Sequence, residues 1–168
     1  ALEGKNNGLQ VCVKSLCRNN SFDFSNTIID SGLTGVYQLE NIATVICTLD
    51  VLKKHFKEIS EECIAKGLCN VVNNTGILGR WQKLSDSPLV YCDTGHNEDG
   101  ILHLMMQIRK LKYTKLHFVF GTVNDKEIDH ILSLLPKDAV YYFCKAQIPR
   151  ALDEIILAGK AKTAGLAG

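Results

Sequence analysis

The residues of this chain best equipped for chemistry sit in one pentapeptide, Asp93-Thr94-Gly95-His96-Asn97. It offers a carboxylate, a hydroxyl, a flexible glycine, an imidazole and a helix-capping asparagine. It follows a short apolar run, Leu89-Val90-Tyr91-Cys92, that reads as a strand. A helix is expected to begin at its far end, and the free N–H groups of a helix N-terminus suit an anion such as a phosphate. In a parallel α/β sheet, ligands bind beyond the carboxyl ends of the strands, which is where these five residues fall. The plainer reading is a capped turn whose Asp93 and His96 are merely solvated. The pentapeptide alone leaves both readings open.

Three further segments carry polar groups of interest. Gly79-Arg80-Trp81 places an arginine, able to fork onto a phosphate, beside the single tryptophan of the chain. By itself it reads more simply as an exposed hinge arginine next to a packing side chain. Asn41 falls in the first turns of an expected helix, where a solvent-facing asparagine is the ordinary case. Gly121 to Lys126 follows a second strand and could bring Lys126 to the same crevice, or could simply cap a helix. His117 alternates with apolar strand residues and is expected beside the core. His55, His103 and His130 lack metal-ligand spacing, so no metal site is assigned. Gly159-Lys160 does not make a P-loop, because Glu154 stands at the first glycine position, Ala161 at the last, and a helix precedes. No Ser-His-Asp order with a nucleophile elbow is present.

The elements that must position these residues can be read from periodicity. Residues 9–31 give two extended pieces, Leu9–Val13 and Asn26–Asp30, around a polar stretch, with Gly32 and Gly35 marking a turn. From Gln38 onward Leu39, Ile42, Ile46, Leu49, Leu52 and Phe56 define one face of a helix. Ser60-Glu61-Glu62 predicts a second helix start, a capping side chain followed by first-turn acids, running to about Leu68. Asn73-Asn74-Thr75-Gly76 is the most linker-like tetrapeptide, so a domain boundary is expected there or at Gly79. Beyond it three apolar strands, at Leu89–Cys92, Leu116–Phe120 and Ala139–Phe143, alternate with helical stripes. The stripes are 101–111, 128–135 and a last one carrying Leu152, Ile155 and Ile156, with Pro149 in its first turn. Strand–helix alternation with continuous apolar strands predicts an α/β fold, a mostly parallel sheet with helices on both faces.

Composition narrows the classes. The chain has 168 residues, 46% hydrophobic and 22% charged, with a formal net charge of +1. That is globular composition, enough to bury a core without a metal or disulfide staple. Near-neutral charge provides no footprint for nucleic acid or an anionic membrane, and no apolar run approaches the ~20 residues of a spanning helix. The start, Ala1-Leu2-Glu3-Gly4-Lys5, lacks a basic-then-apolar signal layout. Seven cysteines without a Cys-x-x-Cys pair predict buried, reduced thiols and a cytoplasmic protein.

Taken together, the segments resemble one family. Leu33-Thr34-Gly35-Val36-Tyr37-Gln38-Leu39-Glu40-Asn41 resembles the Leu-x-Gly-x-[Tyr/His]-Gln-x-x-Asn signature of folylpolyglutamate synthases. Gly79-Arg80-Trp81-Gln82 resembles their Gly-Arg-x-Glu/Gln element, and Asp93-Thr94-Gly95-His96-Asn97 their Asp-Gly-Ala-His-Asn element, with Thr94-Gly95 in place of Gly-Ala. Weaker similarity follows at Gly121–Lys126 and at Pro149-Arg150-Ala151-Leu152. The resemblance covers about Leu33 to Gly168 and implies the C-terminal portion of a folylpolyglutamate synthase, often bifunctional with dihydrofolate synthase, in the Mur ligase superfamily.

The resemblance implies the end of a central ATP-binding domain over 1–78 and a Rossmann-like Mur ligase C-terminal domain over 79–168, truncated at its end. It implies an ATP-dependent amide ligase: a folate glutamate tail or a dihydropteroate carboxylate is phosphorylated by ATP, and the amine of glutamate attacks the acyl phosphate. The cofactors implied are ATP and Mg²⁺. Asn41, Arg80, Asp93 and His96 would bind the nucleotide, with Asn41 at the adenine, Arg80 at the phosphates, and Asp93 and His96 closing from the C-terminal domain. Arg80 and His96 would be catalytic, and the metal ligands would lie mostly outside this chain. A monomer with neither nucleic-acid nor membrane partners is expected, and a chain inactive alone because the family's P-loop is absent from it. Two rivals stand beside this reading: another Mur-type ligase, and a non-catalytic nucleotide- or metabolite-binding module.

Overall fold

A computed structural model of the chain describes residues 9–12, 28–124 and 128–168. By internal packing it divides into two compact units, Ala1–Thr94 and Gly95–Gly168.

The first unit begins with a hairpin of β1 (Leu9–Cys12) and antiparallel β2 (Ile28–Ser31), in which Gln10 pairs with Asp30. Helix α1 (Gln38–Leu52) follows, its apolar positions at three- and four-residue steps turning Ile42 and Ile46 inward. Helix α2 (Glu61–Cys69) starts where the sequence predicts, with Ser60 accepting a hydrogen bond from the Cys63 N–H at 3.2 Å. Ile29, Ile42, Ile46 and Ile64 form the core of this unit, wrapped by Leu39, Leu49, Ile59 and Leu68. Burying each such side chain is worth about 1.5–3 kcal/mol, which is what holds α1 and α2 against the β1–β2 hairpin. The tetrapeptide expected as a linker is instead mostly helical: α3 (Val71–Thr75) ends at Gly76, whose left-handed φ of +66° closes the turn. A second hairpin, β3 (Gln82–Asp86) with antiparallel β4 (Leu89–Cys92), completes the unit.

The second unit is α/β. Helix α4 (Glu98–Ile108) leads to β5 (His117–Phe120), α5 (Ile128–Leu134), β6 (Val140–Phe143) and α6 (Glu154–Thr163). Strands β5 and β6 are parallel, with His117 opposite Val140 and Phe120 opposite Phe143, and α5 is their crossover. A parallel bridge between Val140 and Ala167 extends the pairing on the other side of β6. Ile101, Leu104, Ile131, Leu132, Tyr141, Leu157 and Ala161 are buried.

The α/β class is observed, with four local differences. The first apolar strand, β4, is not a member of the parallel pair: it is half of an antiparallel hairpin whose other strand, β3, the polar run Gln82-Lys83-Leu84-Ser85-Asp86 concealed. One face of β5–β6 is open, with Val119 71% exposed, and His117 lies on that exposed face rather than beside the core, stacked on Tyr142. Helix α6 begins later than expected. Pro149 occupies the second position of a turn in which the Ala151 N–H reaches the Ile148 carbonyl at 3.1 Å, a placement its fixed φ favours. Asp153 then caps the helix, so Leu157 and Ala161, not Ile155 and Ile156, face inward.

The thiol expectation is also corrected. Cys47 is disulfide-bonded, and the free Cys63, Cys69 and Cys144 are exposed. Among the described residues no helix is long and apolar enough to cross a membrane.

Candidate functional site

The Arg80 loop and Asp93 meet at the base of the β3–β4 hairpin. Gln82 and Cys92 form the last strand pair, so Trp81 and Asp93 are the next residues outward on the two strands. Asp93 Oδ2 accepts a hydrogen bond from the Trp81 N–H at 2.7 Å and another from the Tyr37 hydroxyl at 2.7 Å. Both lengths are those of strong, charge-assisted bonds. Burial, then the bond to Asp93, pushes the Tyr37 phenol well above its ordinary pKa. Tyr37 therefore stays protonated, and a donor, throughout the neutral range.

The loop itself is locally strained and heavily tied. Gly79 has φ +68° and Trp81 has φ +50°, so both neighbours of Arg80 are left-handed. For a tryptophan that conformation persists only where surrounding contacts over-determine it. They do: its carbonyl accepts from Thr34 Oγ1 at 3.0 Å, its N–H is on Asp93, and its buried ring stacks on Tyr91 with centroids 4.6 Å apart. Gly79 donates to Gln82 Oε1 at 3.0 Å and accepts from the Thr94 N–H at 2.9 Å. A β-carbon at Gly79 would lie 2.5 Å from Thr94 Cγ2, so the glycine is required by space as well as by φ. The half-buried Arg80 guanidinium is held by the Gly79 carbonyl at 3.3 Å and by Thr94 Oγ1.

Asn41 lies one turn along α1 from Tyr37 and is exposed. Its amide donates to Oε1 of the buried Gln38 at 2.9 Å, which sets its direction. Thus Arg80 and Asp93 are brought together, Asn41 stands on the helix that Tyr37 precedes, and His96 is an exposed residue at the start of the second unit. Lys126 lies outside the described residues. The helix that follows His96 is capped as predicted, with Asn97 Oδ1 accepting the Gly100 N–H at 2.9 Å. Glu98 and Asp99 fill its first turn, and Glu98 pairs with His130 at 3.0 Å. Those acids complement the helix dipole themselves, which weakens the anion site expected there.

Tyr37 and Thr34 give no sign of these contacts in the sequence, because nothing in a linear pattern pairs residues 56 and 47 positions apart. The second unit carries an open surface pocket of about 440 Å³, lined by Phe143, Cys144, Lys145, Ala146, Gln147 and Glu154. It lies beyond the carboxyl end of β6, where α/β sheets commonly bind ligands. Among the described residues no group of three or more His, Cys, Asp or Glu could hold a metal ion.

With this geometry in place the chain can be set beside known proteins. Residues 79–167 match the Mur ligase, glutamate ligase domain, and the chain belongs to that family. Its relatives within the family are folylpolyglutamate synthases, matched over their C-terminal portion. A probable bifunctional folylpolyglutamate synthase/dihydropteroate synthase of Haloferax volcanii is 30% identical over 125 residues, 74% of this chain and 14% of that protein. The Mycobacterium tuberculosis folylpolyglutamate synthase complexed with ADP and AMPPCP superposes with a TM-score of 0.67 at 25% identity, over 84% of this chain and 30% of that one. A bifunctional folylpolyglutamate synthase/dihydrofolate synthase with Mn, AMPPNP and L-glutamate bound gives a TM-score of 0.54 at 27% identity, over 73% and 32%. The chain therefore spans from about a seventh to about a third of the length of these relatives.

Proposed function

We propose that this chain is the hinge and C-terminal portion of an ATP-dependent ligase that adds glutamate to folate, of the kind often bifunctional with dihydrofolate synthase. The observation that carries the reading is the Arg80 loop. It stands at the first residues of the glutamate ligase domain match, hydrogen-bonded on both sides of Arg80, with Asp93 accepting from the Trp81 N–H. In this reading residues 1–78 end the central ATP-binding domain and 79–168 form the C-terminal one. The hairpin of residues 82–92 packs with the first unit yet falls inside the family match, as a hinge element would.

The roles follow from the chemistry. A phosphoryl transfer needs positive charge fixed where negative charge develops, and Arg80, immobilised before substrate arrives, supplies it without reorganisation. Asn41, oriented by Gln38, contacts the adenine. Asp93 meets the nucleotide from its fixed place beside the Arg80 loop, while His96 comes over it when the domains close and serves catalysis beside Arg80. Closure excludes water from an acyl phosphate that would otherwise hydrolyse. The glutamate amine then attacks the acyl carbon, an amide forms, and phosphate leaves. Mg²⁺ would neutralise charge on the nucleotide, and no residue of this chain is assigned to hold it.

The test is incubation of the whole protein with ATP, Mg²⁺, glutamate and a reduced folate, with mass spectrometry of the product. The expected result is a folate longer by glutamate units, and none from residues 1–168 alone. Turnover by the isolated chain, or product only with a nucleotide-sugar acceptor, would contradict the reading. Tight ATP binding by the chain that survives Arg80→Ala and Asp93→Ala would favour a self-contained binding module instead.

A further inference from the structure

We infer that Tyr37 is a positioning residue of the ligase reaction: its hydroxyl fixes the Asp93 carboxylate and, through the Trp81 N–H on the same oxygen, the backbone that aims Arg80. The inference rests on the function proposed above.

Three observations support it. First, both ends of the Trp81 peptide segment are held by the segment leading into α1. Thr34 donates to the Trp81 carbonyl at 3.0 Å, while Tyr37 reaches the N–H side through Asp93 at 2.7 Å. Second, the two left-handed residues flanking Arg80, at φ +68° and +50°, define a conformation the chain would leave if released, because Trp81 gains nothing locally from it. Third, space for the Tyr37 ring is reserved. A β-carbon on Gly35 would come within 2.7 Å of Tyr37 Cε1 and 2.9 Å of Cζ, so only glycine there lets the ring lie where its hydroxyl reaches Asp93. Gly35 and Tyr37 thus act as one device. The glycine admits the ring, and the ring delivers a donor that keeps its proton at neutral pH.

Such a residue touches no substrate in this account, so its loss registers through its neighbours: through Asp93 and the Arg80 loop, and through Gln38, which also hydrogen-bonds Tyr37 and directs Asn41. The experiment is Tyr37→Phe in the whole protein, a change that keeps the ring and deletes one oxygen. Expected are a fall of about tenfold or more in kcat/KM for ATP, the effect of losing one hydrogen bond to a charged group, and a KM for glutamate within about twofold of the parent value. Combined with Asp93→Asn, Tyr37→Phe adds less than its own single loss, because the path to Arg80 runs through the one Asp93 oxygen. Tyr37→Phe kinetics matching the parent would overturn the inference. So would an equal loss for every substrate that tracks the fraction of folded protein by circular dichroism, since that marks a merely structural tyrosine. A parent protein that releases no folate-dependent ADP would instead overturn the proposed function, and the positioning role with it. The first two failures leave the proposed function standing.

Discussion

Asp93 and His96 are three positions apart in the same short motif, and the structure treats them in opposite ways. Asp93 is bound into a network that takes in Thr34, Tyr37, Gly79, Arg80, Trp81 and Thr94, most of it through backbone groups. His96 is exposed, at the head of a helix that Asn97 caps. The contrast teaches that a contiguous signature can hold residues with different duties. One is a structural keystone whose geometry exists before any ligand arrives. The other is a surface group whose importance, on the proposed function, appears only when the enzyme closes. Substitutions should separate the two.

The largest effect is expected at Asp93→Ala, which strands the Tyr37 hydroxyl and the Trp81 N–H together. Two donors left without their acceptor cost about 3 kcal/mol, visible as a drop of roughly 10 °C in thermal midpoint. Next is Gly79→Ala. A left-handed alanine with its β-carbon against Thr94 should lose about 2 kcal/mol, and a Thr94→Ser partner should recover the steric share by removing Cγ2. Asn97→Ala, which uncaps α4, should cost about 1 kcal/mol in denaturant melts. Smallest is His96→Ala, expected to change stability by no more than about 0.5 kcal/mol while lowering ligase turnover in the whole protein. A His96→Ala variant as unstable as Asp93→Ala would erase the contrast.

What could be read in advance follows a physical line. Helices α1 and α2 were legible because a period of 3.6 and a Ser60 cap are local facts, and the pairing of β5 with β6 followed from apolar strands joined by a helix. Strand β3 was not, since its five residues are mostly polar and its stability comes from the partner strand rather than from its own pattern. The start of α6 is not legible, because Pro149 suits a turn as well as a helix start. Arg80 and Asp93 are each legible as candidates, and the structure adds that they meet across the base of one hairpin. Tyr37 is not legible as a participant, because its contact spans 56 positions. The exposure of His117 is not legible either, because alternation says which residues share a face, not whether anything covers it.

The central claim is that the Arg80 loop is a preformed phosphate clamp of a folate-dependent ligase. Steady-state ADP release by the whole protein, with and without Arg80→Ala, tests it directly. The account predicts ADP release that requires both folate and glutamate in the parent, and a loss on the order of 10³ in kcat for the variant with its melting behaviour unchanged. ADP release in Arg80→Ala at the parent rate, with the same dependence on folate and glutamate, would contradict it.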